Sequence, residues 1–421
     1  MQPGIGTRAG AVGLRAAFAA LAVLMHVVLG AAAAMASIAS ATRAELSGDQ
    51  TRTTFSLELT AGVTAEIFTL ANPYRVIVDL PDVTFRLPDS TGHNGSGLVK
   101  TFRYGLFAER KARVVLDTNG PVRIERAAMT AAAKGTGVTF SFDMVTTAPE
   151  SFGMGTGADK VAEEAAKDAP PSDAAGAAKP KRPGKPVIMI DPGHGGIDGG
   201  AVSATSKVLE KDVVLAVAKE LGRQLAATGR YDVRMTRASD VFISLDQRLS
   251  LSMKHGVDLF ISLHADTLPE HNVAQTIRGA TVYTLSERAS DEQARRMAEK
   301  ENASDLVAGL SSAESGDDEV AGILIDLMKR ETANFSSDFS NALIRKLKQS
   351  AALSPVPQRA AAFKVLKQTH APSVLIELGY LSHPEDEKLL NTPAWQKKMA
   401  GSITAAVDSY FSKRTAGSPA P

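Results

Sequence analysis

The chain reads as an α/β protein, a mostly parallel sheet with helices on both faces, preceded by a small antiparallel β-domain. Three observations carry that reading. After Pro186, short apolar runs at 187–190, 258–263 and 373–376 alternate with stretches of helical period, the pattern of strands joined by crossover helices. Between about 44 and 145 the period is two instead, with turn residues between the runs, as in a half-buried antiparallel sheet. Finally, three later runs deliver a metal-type or acid/base side chain at or just past their ends: His194, His264 and Glu377. Open α/β sheets bind ligands at the carboxyl ends of their strands.

Taken in order, the N-terminus comes first. Arg8 and Arg15 precede an alanine-rich apolar run at 16–36, which ends in small residues (Ala34-Met35-Ala36, then Ala39-Ser40-Ala41). That is the build of a secretory signal, so residues 1–41 are expected to be a signal peptide and the mature protein periplasmic and soluble. The alternative is an uncleaved anchor, because the run nearly spans a hydrocarbon core of about 30 Å. Residues 44–145 form the β-domain, with alternating runs at 53–59, 74–80, 111–117 and 139–142 and turns at Asn72-Pro73, Asn94-Gly95 and Asn119-Gly120-Pro121. From 146 to 185 Gly, Ala, Pro, Lys and Asp dominate and little remains to bury, so this stretch reads as a flexible tether.

The α/β domain occupies 186–413. Its first helix is expected at about 207–228, with Val213, Val214, Val217, Leu221 and Leu225 on one face. A strand at 231–236, a helix at 245–254, the strand at 258–263 and a strand at 280–284 follow. Next comes a long polar helix-prone stretch, then a helix at 337–349, the strand at 373–376 and a last helix at 394–411.

Composition narrows the chemistry. The 421 residues suffice for two or three domains. With 47 basic against 46 acidic residues the formal charge is +1, which gives no electrostatic footprint for nucleic acid. There are no cysteines, so disulfides, thiolate metal sites and cysteine nucleophiles are all excluded. A metal site must then use histidine and carboxylate, and two histidines with a carboxylate commonly hold zinc with a water in the fourth position. His194 and His264 supply the imidazoles. Glu210 is the third candidate ligand, because it shares the inward helix face with Val214 and Val217. Glu377 ends a buried strand, where a carboxylate is costly unless paired or functional. Beside a zinc-activated water it is suited to act as general base. His255, His271, His370 and His383 lack comparable placement.

These residues sit in a longer ordered set: Asp191-Pro192-Gly193-His194-Gly195-Gly196, Glu210-Lys211-Asp212, Thr236-Arg237 with Asp240, Arg248, Ser262-Leu263-His264-Ala265-Asp266, and residues 373–382 around Glu377. The set resembles the zinc-dependent N-acetylmuramoyl-L-alanine amidases of the cell-wall hydrolase type over nearly all of 186–411. The resemblance implies that His194, Glu210 and His264 bind one Zn2+ and that Glu377 is catalytic. It also implies cleavage of the amide between muramic acid and L-alanine in peptidoglycan. The β-domain resembles the AMIN domain that precedes such enzymes, thought to bind peptidoglycan and place them at the division site.

Residues 286–335 are longer than a sheet connection requires. Division-associated relatives carry an insertion there that covers the site until a LytM-type activator displaces it. By that resemblance Arg296, Lys300-Glu301-Asn302-Ala303 and Asp305-Leu306 form the regulatory segment, with Glu301 as an inhibitory fourth ligand. The expected partners are peptidoglycan and such an activator, acting on a monomer. Two competing readings are a zinc peptidase cutting within stem peptides and a catalytically silent wall-binding adaptor.

Overall fold

The computed structural model describes residues 38–88, 90–132, 137–152, 184–203, 205–268, 276–310, 322–368 and 370–416. The apolar run at 16–36, His271 and most of the expected tether lie outside them. Among the described residues no helix is long and apolar enough to cross a membrane.

The N-terminal half holds β1 (Ala39–Gly48), β2 (Arg52–Leu59), β3 (Glu66–Leu70), β4 (Arg75–Pro81), β5 (Val83–Phe85), β6 (Val99–Ala108), β7 (Lys111–Thr118), β8 (Val122–Ala131) and β9 (Val138–Thr146). They form a five-stranded sheet, β5-β1-β2-β9-β8, and a four-stranded sheet, β3-β4-β7-β6. Pairing is antiparallel except between β1 and β5. Alternation in β2 sends Phe55, Leu57 and Leu59 inward, where they meet Val76, Val78 and Leu116 of the other sheet.

Two expected boundaries move. Strand β1 begins at Ala39, with Ala39 and Ala41 buried, so the fold takes in residues 39–41 of the stretch read as a leader. At the other end, Phe152 packs its ring on Tyr74, centroids 4.8 Å apart. The start of the expected tether therefore belongs to the β-domain.

The C-terminal half contains β10 (Val187–Pro192), α1 (Glu210–Ala227), β11 (Asp232–Met235), α2 (Leu245–His255), β12 (Leu259–His264) and β13 (Ala280–Leu285). Then come α3 (Glu292–Asn302), α4 (Ser304–Val307), α5 (Gly322–Leu347), β14 (Leu353–Ala361), β15 (Ser373–Glu377), α6 (Pro384–Leu390) and α7 (Pro393–Ala416). The sheet order is β11-β10-β12-β15-β13-β14, with only the β13–β15 pair antiparallel.

Both faces of this sheet are covered, which is why its strands are continuously apolar. Ile188, Ile190, Leu259, Ile261, Leu263, Val374 and Ile376 face α1, α5 and α7. Their sequence neighbours Met189, Phe260 and Leu375 face Leu245 of α2 and Ala294 and Met297 of α3. Strand β14 escaped the sequence reading because it contains Pro355 and Pro357. Both fall in the irregularity between the Ala280–Leu353 and Val282–Gln358 pairings of an edge strand, where no ladder donor is needed. Helix α5 starts at Gly322 rather than near Ser337, so the expected end of the insertion falls inside one continuous helix.

Candidate metal centre

Strand β10 ends at Pro192, and the turn after it reverses the chain. His194, Gly195 and Gly196 all have positive φ, at 56°, 123° and 55°. A histidine in the left-handed region is uncommon, and such outliers persist where the surroundings impose them. Here the surroundings are two buried guanidiniums. Arg237 donates to the carbonyls of Pro192 (3.0 Å) and Gly193 (2.7 Å), and Arg248 donates to those of Pro192 (2.8 Å) and His194 (2.8 Å). Arg248 also pairs with Asp191 at 2.6 Å, and Thr236 and Ser262 donate their hydroxyls to the same carboxylate. Burial alone would raise the Asp191 pKa, but Arg248 and the two hydroxyls outweigh it and hold the group below its ordinary value. Asp191, Thr236, Arg237 and Arg248 are thus the frame of the turn. At Gly193 only a hydrogen fits: a Cβ there would lie 2.4 Å from Cε1 of His264.

His264 and Glu377 end neighbouring strands β12 and β15 and face each other in register. Glu210 is the first residue of α1, fully buried, and its two oxygens accept the N–H groups of Ala201 (2.8 Å) and Ala265 (2.9 Å). Those bonds aim the carboxylate between the two rings. Glu210 Oε2 lies 3.2 Å from His194 Nε2, and Oε1 lies 3.1 Å from His264 Nδ1. From above, one oxygen of Glu301 reaches both rings, 3.4 Å from His194 Nε2 and 3.1 Å from His264 Nδ1.

This donor set fits a zinc ion. Zinc bonds of about 2.0–2.1 Å in a tetrahedron place neighbouring ligand atoms about 3.3 Å apart. His194 Nε2 is buried without a hydrogen-bond partner among the described residues, a costly state for a ring nitrogen that a cation relieves. The ring's other nitrogen donates to Asp198 Oδ2 at 2.8 Å, which fixes the tautomer that leaves Nε2 free for a metal. Asp198 was not singled out from sequence. Its signal was there, as an acid four residues past a histidine in a glycine turn.

Electrostatics agree with a cation-binding cluster. Burial would depress both histidines, but Asp198, Glu210 and Glu301 outweigh it and hold His194 well above its ordinary value. His264 is pushed up to about 10, its burial overcome by Glu301 and Glu210. Glu210 is held well below its ordinary value, because His194 and His264 outweigh its burial. Glu377 goes the other way: burial first, then Asp266 and other carboxylates, raise it well above. Its Oε2 accepts the N–H of Asp266 at 3.1 Å, and its Oε1 has no partner among the described residues.

Helix α3 closes this site over a buried face of Ala294, Met297, Ala298 and Glu301. Asp291 caps its N-terminus by accepting the N–H of Ala294 (2.9 Å) and pairs with Arg359. Lys300 pairs with buried Asp266. Asn302 donates to Ala362 O (2.9 Å) and accepts the N–H of Lys364 (2.7 Å), while Asp305 accepts the N–H of Leu245 (3.0 Å). His194 is left 7% exposed and Glu301 4%. Of the other histidines, His370 meets Ser252 Oγ at 3.0 Å and His383 caps α6.

Comparison with known proteins follows the same division of the chain. Residues 188–409 match the family described as Amidase_3, N-acetylmuramoyl-L-alanine amidase, and residues 44–142 match the AMIN domain. The N-acetylmuramoyl-L-alanine amidase AmiA of Escherichia coli (strain K12) is 40% identical over 240 residues, covering 56% of this chain and 81% of that one. AmiC of Escherichia coli O6:H1 is 32% identical over 355 residues, 82% of this chain and 83% of that one. AmiC of Neisseria meningitidis serogroup B is 30% identical over 392 residues, 88% and 89% of the two chains.

Proposed function

The chain belongs to the N-acetylmuramoyl-L-alanine amidase family, and from that premise we propose that it is a zinc-dependent enzyme cleaving the amide between N-acetylmuramic acid and L-alanine in peptidoglycan. The observation that carries the reading is the convergence of His194 Nε2, His264 Nδ1 and both Glu210 oxygens within 3.1–3.2 Å contacts. In this role the three side chains hold the ion, and Asp198 keeps a proton on the far nitrogen of His194. Zinc in such a site lowers the pKa of its water to about 7 and polarises the scissile carbonyl. Glu377 takes the proton of the attacking water on its carboxylate and later gives it to the departing alanine amine. Its burial and the neighbouring carboxylates raise it well above the ordinary carboxylate range, the direction in which a group that must both accept and donate a proton near neutral pH is tuned.

Glu301 occupies the face where substrate must enter, so the resting protein is self-inhibited. Turnover then requires α3 to withdraw, with a LytM-type activator as the agent. The AMIN-like domain supports a role at the wall, in septal splitting and daughter-cell separation, with the apolar N-terminal run directing export to the periplasm.

Purified sacculi incubated with the protein, with and without EDTA, test the activity by mass analysis of the products. The expected result is intact glycan strands and free stem peptides, both abolished by EDTA. Cuts within the stem peptides would replace this reading with a zinc peptidase.

A further inference from the structure

One face of the β3-β4-β7-β6 sheet meets the catalytic half, and part of that contact lies at α4 and the turn after it, just past the helix that closes the site. Five consecutive backbone carbonyls, 306 to 310, accept bonds from three β-domain arginines. Arg75 Nη1 donates to Leu306 O (2.7 Å) and Leu310 O (3.4 Å), Arg103 Nε to Val307 O (2.6 Å), and Arg113 Nη1 to Ala308 O (3.1 Å) and Gly309 O (3.4 Å). Helix α4 ends at Val307, so the carbonyls of 308–310 lie in the turn beyond it, and guanidiniums give such carbonyls charge-assisted bonds. The arginines are themselves fixed. Arg113 makes two bonds to Asp79, at 2.6 and 2.8 Å, and lies 3.5 Å over the Phe107 ring, while Arg103 pairs with Asp117.

The same surface seats the metal-bearing turn. Leu106 O accepts the N–H groups of Ile197 (3.1 Å) and Phe242 (3.3 Å), and Phe107 stacks on Phe242 with centroids 5.7 Å apart. Contact is close enough that a Cβ on Gly105 would lie 2.5 Å from Ile197 N.

We infer that this face of the β-domain, built on Arg75, Arg103 and Arg113, is a docking surface for residues 303–310 of the same chain, so that the β-domain holds the closing helix shut. The inference rests on the reading of Glu301 as an inhibitory plug. It implies that release of the wall enzyme is set partly by whatever draws the β-domain away from the catalytic half.

The test uses the full chain and two β-domain variants. Gly105→Val adds bulk only where the catalytic half approaches, since Gly105 lies in extended strand β6. Arg103→Ala removes the donor to Val307. Hydrogen exchange at 303–310 reads the clamp directly, and exchange in β4 and β7 reports whether the β-domain stays folded. In Arg103→Ala, loss of one charge-assisted bond predicts about tenfold faster exchange there, with basal hydrolysis of sacculi rising toward that of Glu301→Ala. Hydrolysis is read in this variant alone. Gly105→Val is read by exchange, because its side chain meets the Gly196–Ile197 backbone of the metal-bearing turn. Unchanged exchange in both variants overturns the clamp. Faster exchange with flat hydrolysis, in a background where Glu301→Ala is activated, also overturns it as the restraint on the plug. If Glu301→Ala is itself no more active than the parent, the plug reading fails, and the exchange measurement still decides whether the β-domain holds this turn. Should Gly105→Val unfold β4 and β7, Arg103→Ala decides alone.

Discussion

His194 depends on a neighbour that contributes nothing to the reaction itself. Asp198 accepts the hydrogen bond of Nδ1–H at 2.8 Å with both groups buried, and such carboxylate partners orient the ring and raise its basicity. Asp198→Asn is expected to weaken zinc affinity about 10- to 100-fold, read by competition against a chromophoric chelator, with the fold retained. Unchanged affinity would leave Asp198 as a mere turn residue. Glu377→Gln keeps the side chain's volume and its bond to the Asp266 N–H but removes the proton acceptor. Zinc content is expected to stay at the parent's level while amide cleavage falls by about 10²–10⁴. Normal turnover in that variant would remove Glu377 from the chemistry.

At the scale of elements, the closing helix is packed along one face and tied at both ends. Its N-terminus relies on Asp291, which accepts the Ala294 N–H and faces Arg359. An N-cap aspartate replaced by alanine costs about 1 kcal/mol, or roughly a fivefold shift in an equilibrium. Asp291→Ala should therefore raise basal hydrolysis of sacculi several-fold without altering zinc content. No rise would mean that α3 stays closed through its other contacts alone. The element pattern also shows where sequence reasoning reached its limit. Strands β10, β12 and β15 were legible as apolar runs with punctuation, and α1 as an amphipathic face that includes Glu210. Strand β14 was not, because prolines in an edge irregularity look like loop. The start of α5 was not either, because the apolar residues before Ser337 read as part of a separate insertion.

For the whole molecule, the β-domain is more than a tethered anchor. The Phe107 ring carries the Arg113 guanidinium on one side and stacks on Phe242 of the catalytic half, and an aromatic pair of this kind contributes about 0.5–1.5 kcal/mol beyond its buried area. Phe107→Ala should loosen the docking, seen as a larger radius of gyration in small-angle scattering of the full chain. An unchanged radius would show that the arginine bonds suffice.

What the sequence determined by itself lies within short windows. The periods of strands and helices, the glycine turn at His194, the strand-end placement of His264 and Glu377, and the exclusion of thiolate chemistry all follow from residues a few positions apart. The folded chain alone decided how these windows meet: that both Glu210 oxygens fall between the rings, that Asp198 selects the tautomer, and that Glu301 covers the opening. It alone decided the clamp. Arg75 and Arg113 reach carbonyls 231 and 195 residues away, and since every residue carries a carbonyl, no sequence pattern marks which five will be held.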